Sequence, residues 1–311
     1  MDCGQRFPFW SARWATRRLS PVTRLSLLAL VAVALVGCDT FPRAMTYATV
    51  PSHAMRGVWM EYAVFAPADV GIDEHLPLVV FLHGGGDGPD CLDRSGIGPA
   101  LQGAMTRGEL PRAVVVVPEG DLGFWANWYD GSRHYEDWVI EELMPRVARQ
   151  FHTAACPEGC HLMGVSMGAE GTLRIAIHRP GMFASVTAIS GPSLDTEHRI
   201  AFINDPLNNI IIPTQHVFGP PRPRSRIEAD DPFVVWRSPG ALRGSRLMIA
   251  WGTRDRGMVR DGSAALHAHL EHYGVPHTFE EFDGEHGWRW WSPLILEQLR
   301  TQLSPDAPAA H

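Results

Sequence analysis

Residues 164–168 read Gly-Val-Ser-Met-Gly, a spacing that suits a serine nucleophile on a tight turn. The short apolar run His161–Met163 precedes them, and a helical pattern follows to His178. Small residues two positions before and two after the serine let a strand and a helix approach closely. The hydroxyl then lies at the positive end of a helix, where an oxyanion can also be held. The pentapeptide alone is a weak pattern, but the flanking strand and helix favour Ser166 as the nucleophile.

A serine nucleophile needs a general base, and histidine is the usual one. The chain has 15 histidines. His286 is favoured because the run 283–287, Asp-Gly-Glu-His-Gly, directly follows the last predicted strand. Three histidines share one helical run and show a spacing that a metal site can also have, but no nearby residue completes such a site: His267, His269 and His272. We therefore predict a solvated helix face there and no metal.

The base needs an acid to orient it. Asp255 follows the predicted strand Leu247–Trp251 and is the first candidate, with Asp261 and Asp283 as alternatives. With Asp255, the chain order is serine, acid, histidine, which is the order found in α/β-hydrolases.

A glycine run after the predicted strand Leu78–Leu82 supplies donors for an oxyanion. Residues 83–86 read His-Gly-Gly-Gly, and backbone without side chains can turn its N–H groups inward. We predict an oxyanion hole from Gly84 and Gly85 together with the N–H of Met167.

Two groups of aromatic residues lie near the candidate site residues in the sequence, one ahead of the predicted helix Tyr135–Phe151 and one directly after His286. They are predicted to line a substrate pocket and bind an acyl chain or a sugar face, although core packing explains at least half of such residues. The candidates are Trp125, Trp128, Tyr129 and Trp288, with Trp290 and Trp291 beside the last.

The N-terminus has the pattern of an export signal. Five arginines precede the apolar run Leu25–Val36, which ends in Gly37-Cys38. A charged region, a short apolar region and a small residue describe a secretory signal over residues 1–37, because the run is too short to span a membrane. The ending resembles a bacterial lipobox, in which Cys38 carries lipid. The alternative is a buried or anchoring helix with an incidental cysteine.

The remaining cysteines are Cys91, Cys156 and Cys160. Cys156 and Cys160 flank the turn-forming run Pro-Glu-Gly, and we predict a disulfide between them, which export makes possible. The formal net charge of −7 excludes the basic surface that nucleic-acid binding requires.

Predicted strands alternate with predicted helices, which indicates a mostly parallel twisted sheet with helices on both faces. The strands are Val58–Phe65, Leu78–Leu82, Ala113–Val117, Ala184–Ile189, Leu247–Trp251 and Thr278–Phe282. The helices are Gly98–Arg107, Tyr135–Phe151, Ser263–Tyr273 and Pro293–Leu303.

These elements divide the chain into a tether over residues 38–56, an α/β-hydrolase domain over 57–304 and a tail over 305–311. Residues 195–240 are rich in Pro and Arg and interrupt the alternation. An insertion of this length without regular structure is usually a lid or a mobile loop, and a plain surface excursion is the equal alternative.

From Pro77 to Gln302 the chain resembles the putative-esterase family of α/β-hydrolases, which includes esterase D, S-formylglutathione hydrolases and mycolyltransferases. The resemblance lies in the runs Glu141–Pro145, Gly164–Gly168 and Arg179–Phe183 and in His286 ahead of Trp288. It implies hydrolysis of acyl esters without a cofactor, with Ser166 as nucleophile, His286 as base and Asp255 as acid. Ala169 stands where the family often has a second glycine, and residues 195–240 match no family motif.

Three functions fit this pattern. The first is a membrane-tethered serine esterase that acts on a small-molecule ester and is held in the bacterial cell envelope by lipid on Cys38. The second is an acyltransferase to a sugar or lipid acceptor. The third is a non-catalytic surface lipoprotein, since a fold alone does not imply activity.

Overall fold

The computed structural model describes residues 42–71, 73–212, 214–219 and 224–304, and in these ranges eight strands form one sheet. The strands lie in the order β1-β2-β4-β3-β5-β6-β7-β8. Their bounds are β1 Thr46–Ser52, β2 Val58–Phe65, β3 Leu78–Leu82, β4 Val114–Pro118, β5 Cys160–Val165, β6 Ser185–Ile189, β7 Arg246–Gly252 and β8 His277–Phe282.

Strand direction brings the candidate residues to one edge of the sheet. Strand β2 pairs antiparallel with β1 and β4, and every other neighbouring pair of strands is parallel. The loops after β3, β5, β7 and β8 therefore all leave the sheet at its carboxyl edge.

Helices cover both faces of the sheet. They are α1 Cys91–Arg94, α2 Ile97–Thr106, α3 Tyr135–Asp137, α4 Met144–Phe151, α5 Met167–His178, α6 Thr196–Asn204, α7 Asn208–Ile211, α8 Thr214–Phe218, α9 Arg224–Glu228, α10 Pro232–Val235, α11 Gly257–His272 and α12 Trp288–Leu303. A π-helical stretch, Trp138–Leu143, joins α3 to α4.

The continuous apolar run of β3 is explained by burial on both faces. Its alternate residues Leu78, Val80 and Leu82 belong to the apolar layer under α4, α5 and α11. Val79 and Phe81 belong to the opposite layer, under α1, α2 and α12. The predicted α/β-hydrolase architecture, a mostly parallel sheet between two helical layers, is confirmed.

Three predicted boundaries differ from the structure. Residues 46–52, assigned to the tether, form β1 and pair along their whole length with β2. An edge strand carries polar residues on its open side and tolerates Pro51, so its pattern is weak. Helix α11 begins at Gly257, ahead of Ser263. Helix α12 begins at Trp288, and Pro293 lies inside it.

The insertion over residues 195–240 contains regular structure that its composition did not reveal. It holds the short helices α6 to α10. Asp195 caps α6 by accepting from the His198 N–H at 2.9 Å, and Asp231 caps α10 by accepting from the Phe233 N–H at 2.8 Å. Side-chain caps of this kind stabilise helices too short to form alone.

Several predictions concern the two termini and the cysteines. The signal over residues 1–37, Cys38 and the tail over 305–311 lie outside the described residues. No helix within the described ranges is long and apolar enough to cross a membrane. Cys160 is the first residue of β5 and Cys156 lies just before the strand, with Cα atoms 5.0 Å apart and their sulfurs at bonding distance. Cys91 is a buried thiol in α1.

Candidate active site

Ser166 occupies a strained turn between β5 and α5. Its φ is +55° and its ψ is −120°, a conformation that costs free energy for a residue with a side chain. The two flanking glycines allow it. A Cβ on Gly164 would lie 2.4 Å from the carbonyl oxygen of Gly168, and one on Gly168 would lie 1.9 Å from that of Leu82. Any larger residue at either position would push the helix off the strand.

A hydrogen-bonded chain links the three side chains that the sequence singled out. The Nε2 atom of His286 lies 2.9 Å from Ser166 Oγ, and its Nδ1 atom lies 2.8 Å from Asp255 Oδ1. Because a carboxylate only accepts, Nδ1 carries the proton and Nε2 is left to accept from the serine hydroxyl. This arrangement can deprotonate a serine as it attacks.

Close contact between two loops brings the acid to the histidine. A Cβ on Gly252, at the end of β7, would lie 2.4 Å from the carbonyl oxygen of Gly284 in the loop after β8. The Arg254 N–H donates to that same oxygen at 2.9 Å. The loops that carry Asp255 and His286 are therefore joined through their backbones.

Asp255 is kept ionised although its side chain is fully buried. Burial acts to raise its pKa, but hydrogen bonding from His286, the nearby Ser190 hydroxyl, the charge of His286 and the Arg256 N–H more than offset this, so the pKa lies below its ordinary value. The alternative acids are elsewhere: Asp283 pairs with Arg254, and Asp261 pairs with Arg260.

The glycine loop after β3 lies against the serine turn. A Cβ on Gly84 would be 3.3 Å from the Cβ of Ser166, and one on Gly85 would be 4.0 Å from the Cβ of Met167. Met167 is the first residue of α5, so its N–H has no acceptor within the helix. The structure thus brings together the three groups predicted to form an oxyanion hole.

His83 supports the glycine loop through hydrogen bonds of its imidazole ring. Its imidazole is buried, with Nδ1 2.8 Å from the Gly84 carbonyl oxygen and Nε2 accepting from the Gly120 N–H at 3.1 Å. One donating and one accepting nitrogen describe a neutral ring. His83 therefore acts as a support for the loop.

Asp87 connects the glycine loop to the start of α12, which directly follows the loop of His286, and the sequence analysis missed it. Its Oδ2 accepts from Trp288 Nε1 at 3.2 Å and its Oδ1 accepts from Arg94 Nη2 at 2.7 Å. The feature that could have identified Asp87 is its position directly after the glycine run that follows the buried strand β3.

The four predicted aromatic residues occupy different environments. Trp125 is fully buried under the glycine loop, with Nε1 donating to the His83 carbonyl oxygen, so its assignment to the substrate pocket is wrong. A sequence pattern cannot separate a pocket wall from the layer beneath it. Trp128 is half-buried, Tyr129 is exposed against Arg226 of the insertion, and Trp288 lies beside Asp87.

The loop after β4 reaches the site through a residue that the sequence analysis also missed. Leu122 Cδ2 lies 3.3 Å from the position of a Cβ on Gly85. Asp121, Phe124 and Trp125 have φ of 45°, 53° and 54°, so this loop is strained on both sides of Leu122. Such strain is often found at functional sites.

Helix α5 also carries three charged residues, Glu170, Arg174 and His178, which we call the charged stripe. Glu170 Oε1 accepts from Arg174 Nη2 at 2.9 Å and from Arg199 of the insertion. Arg174 Nη1 donates to the Phe124 carbonyl oxygen at 2.7 Å. Side chains of Glu170, Arg174 and Arg199 are at most 7% exposed, so these are buried ion pairs.

His178 ends the charged stripe between two carboxylates. Its Nε2 lies 3.0 Å from Asp230 of the insertion and its Nδ1 lies 2.6 Å from Glu136. Hydrogen bonds to Asp230 and Glu136 raise the pKa of His178 to about 9, against the opposing effect of burial. The imidazole is therefore charged at neutral pH.

The helical histidines considered for a metal have protein partners instead. His267 lies 2.9 Å from His277, and His269 Nε2 lies 3.0 Å from the Trp236 carbonyl oxygen. Both are half-buried, so the predicted solvated face describes only His272. In the described ranges, no group of three or more metal-ligating side chains converges.

The sheet order, the serine turn and the loops at the carboxyl edge define an α/β-hydrolase fold, and comparisons with known proteins agree. A ferulic acid esterase structure aligns with a TM-score of 0.69 at 20% identity, covering 83% of this chain and 97% of that one. The substrate-bound fluorophosphonate-binding serine hydrolase FphF of Staphylococcus aureus aligns with a TM-score of 0.68 at 19% identity, covering 85% and 99%.

The profile of the putative esterase family matches residues 52–301, and the chain belongs to that family. Among curated proteins it is similar to Esterase Rv1288 of Mycobacterium tuberculosis (strain ATCC 25618 / H37Rv), with 27% identity over 233 residues. That match covers 68% of this chain and 49% of the relative. The chain thus spans about half the length of the curated relatives it first matches.

Proposed function

We propose that this chain is a serine carboxylic-ester hydrolase that works through an acyl-serine intermediate. The observation that carries the proposal is the chain of hydrogen bonds from Ser166 Oγ through His286 to the buried Asp255, at 2.9 and 2.8 Å. Membership of a family of esterases supports the same chemistry.

In the first half-reaction, Ser166 Oγ attacks the ester carbonyl carbon while His286 Nε2 takes the hydroxyl proton. The carbonyl oxygen becomes an oxyanion, for which the N–H groups of Gly84, Gly85 and Met167 are the proposed donors. Collapse of this intermediate breaks the bond to the alcohol oxygen, and His286 returns the proton to the leaving alcohol. Asp255 stabilises the imidazolium that forms in between.

In the second half-reaction, water replaces the alcohol. His286 Nε2 takes a proton from the water as its oxygen attacks the acyl carbon of the Ser166 ester. The second intermediate collapses, Ser166 Oγ leaves and receives the proton from His286, and the carboxylic acid is released. The chain's own residues carry every proton in this scheme.

The substrate is proposed to be a small-molecule ester that approaches over Leu122 and Trp288. Both side chains are partly buried beside the glycine loop and present apolar surface there. An aromatic acyl group is one candidate, because the ferulic acid esterase shares the fold.

Product analysis tests the proposal. The purified protein is given aryl esters of increasing acyl length and one feruloyl ester, and the released acid is measured against a Ser166→Ala protein prepared in the same way. We expect turnover to fall by about 10⁴-fold or more in the variant.

The same assay distinguishes the competing functions. Added sugar or glycerolipid acceptors that convert most of the released acid into a new ester would point to an acyltransferase. Wild-type protein without turnover of any ester, with or without an acceptor, would point to a non-catalytic lipoprotein and contradict the proposal.

We also propose that the protein is exported and held in the bacterial cell envelope by lipid on Cys38. The basis is the sequence pattern over residues 1–38 alone. Membrane fractionation of a Cys38→Ser variant tests it. The variant should be released from membranes or remain unprocessed, whereas normal cleavage after Gly37 with unchanged membrane binding would contradict the lipid anchor.

A further inference from the structure

Ser190 is a buried serine in an unusual backbone conformation beside the site. It directly follows β6, its side chain is fully buried, and its φ is +53°. Its N–H donates to the Ala250 carbonyl oxygen at 2.7 Å, which ties it to β7, the strand that leads to Asp255. A non-glycine residue persists in such a conformation when its surroundings hold it there.

Trp291 orients the Ser190 hydroxyl. The indole Nε1 of Trp291 donates to Ser190 Oγ at 2.9 Å. The same ring packs edge-on against His286, with ring centroids 4.7 Å apart and an interplanar angle of 82°. Because an indole N–H only donates, it occupies a lone pair of Ser190, and the hydroxyl proton is left for another acceptor.

Asp255 has a carboxylate oxygen that lacks a donor. Its Oδ1 accepts from His286 and from the Arg256 N–H at 2.7 Å. Its Oδ2 is buried and has no donor at hydrogen-bond geometry among the described residues. A buried carboxylate oxygen without a donor is costly, so a small rotation that satisfies it is favoured. The nearby Ser190 hydroxyl is among the groups that hold down the pKa of Asp255.

We propose that Ser190 is a positioning residue: its hydroxyl, oriented by Trp291, donates to Asp255 Oδ2 and fixes the carboxylate that orients His286. This inference rests on the proposed function, since it assigns Ser190 to the support of the Ser166–His286–Asp255 chain. Ser190 itself does not touch the substrate.

Removal of the hydroxyl should act on the chemical step. In Ser190→Ala, we expect kcat to fall about 10- to 100-fold with KM unchanged, the range that corresponds to one hydrogen bond to a charged group. The acidic limb of the kcat/KM profile against pH should move to higher pH. With one donor fewer, the Asp255 carboxylate attracts the protonated form of His286 more strongly.

Three further variants separate positioning from folding. Ser190→Gly removes the hydroxyl but tolerates positive φ, and should show the same kinetic change. Trp291→Phe keeps an aromatic ring against His286 but loses the donor, and its effect should not add to that of Ser190→Ala. Ser185→Ala is the matched control, because it removes a buried serine hydrogen bond, to His161 at 2.8 Å, at the opposite end of β6. It should leave kcat and the pH profile unchanged.

The kinetic assay includes Ser166→Ala, so that two failures can be told apart. If Ser166→Ala is inactive while Ser190→Ala and Ser190→Gly keep kcat within twofold and the acidic limb in place, the role of Ser190 is contradicted and the proposed function stands. The same conclusion follows if Ser185→Ala shows an equal loss. If Ser166→Ala stays active, the proposed function fails, and the role of Ser190 fails with it.

Discussion

The two ends of helix α5 are built from opposite kinds of chemistry. At its N-terminus, glycines at 164 and 168 remove side chains so that Ser166 can stand on a strained turn. Along the following turns, the charged stripe buries Glu170 and Arg174 against the insertion. The N-terminal end presents the proposed serine nucleophile, and the charged stripe holds the insertion against the helix.

This difference changes the interpretation of the insertion. Residues 195–240 are predicted from sequence to be a lid-like excursion. In the structure, Arg199 of α6 and Asp230 contribute to buried pairs with the charged stripe. Removing one partner of a buried pair is strongly destabilising. The described part of the insertion is therefore anchored to the helix that carries Ser166.

The comparison predicts that damage at the two ends has different consequences, and the largest effect is expected at the catalytic end. Asp255→Asn should lower kcat by about 10⁴-fold, because the amide favours the wrong tautomer of His286, while thermal unfolding changes little. Asp283→Asn is the matched control, since that carboxylate is 82% exposed and pairs with Arg254. A greater loss in Asp283→Asn would overturn the choice of Asp255 as the acid.

Substitutions in the charged stripe should lower the free energy of unfolding and leave kcat unchanged. Arg174→Met leaves Glu170 and Asp230 with fewer partners in the interior, and we expect a loss of about 3 kcal/mol in the free energy of unfolding. Urea unfolding measures it, with exposed Arg149→Met as control. A loss within the range of Arg149→Met, or an inactive but fully stable Arg174→Met, would contradict the division between the two ends.

His178 should make this stability depend on pH. Its folded pKa of about 9 lies above the ordinary value of 6.5, so its contribution is complete below pH 6.5 and is lost as the pH rises through 9. We expect a contribution of about 1–2 kcal/mol, because a third of the side chain is exposed and solvent screens it.

Unfolding free energies of wild type and His178→Gln test this between pH 6 and pH 9.5. The two proteins should differ at pH 6 and converge by pH 9.5. The other 14 histidines are common to both proteins, so their titration cancels in the difference. A constant difference across the range would show that the imidazole charge does not stabilise the insertion.

The smallest effect is expected far from both ends of α5. Cys156 precedes β5 and Cys160 begins it, at the amino edge of the sheet, and their loop is short, so a disulfide there should stabilise by about 2 kcal/mol or less. Mass spectrometry of non-reduced peptides detects the bond, and a Cys156→Ser/Cys160→Ser protein should keep full activity. Free thiols at both positions in exported protein would rule the bond out.

The serine turn was accessible from sequence because its geometry is local. Ser166 and the glycines at 164 and 168 lie within five residues, and a strand and a helix flank them. Asp255 and His286 were placed by the order of parallel strands, which brings their loops to one edge of the sheet.

The rest depends on contacts between distant segments. Glu170, Arg174 and His178 recur every four residues, a spacing that exposed helix faces also show. Their partners lie in a segment without a readable pattern. Trp125 was misassigned because its depth below the glycine loop depends on packing alone. Ser190 is one serine among many until the fold sets it beside Trp291.

Covalent labelling tests the central claim, that Ser166 is the nucleophile, most directly. Purified protein is treated with a fluorophosphonate probe, and the adduct is located by intact-mass and peptide mass spectrometry. We expect one adduct, on Ser166, which is absent in Ser166→Ala and strongly reduced in Asp255→Asn. An adduct on another residue, or equal labelling of Ser166→Ala, would contradict the account.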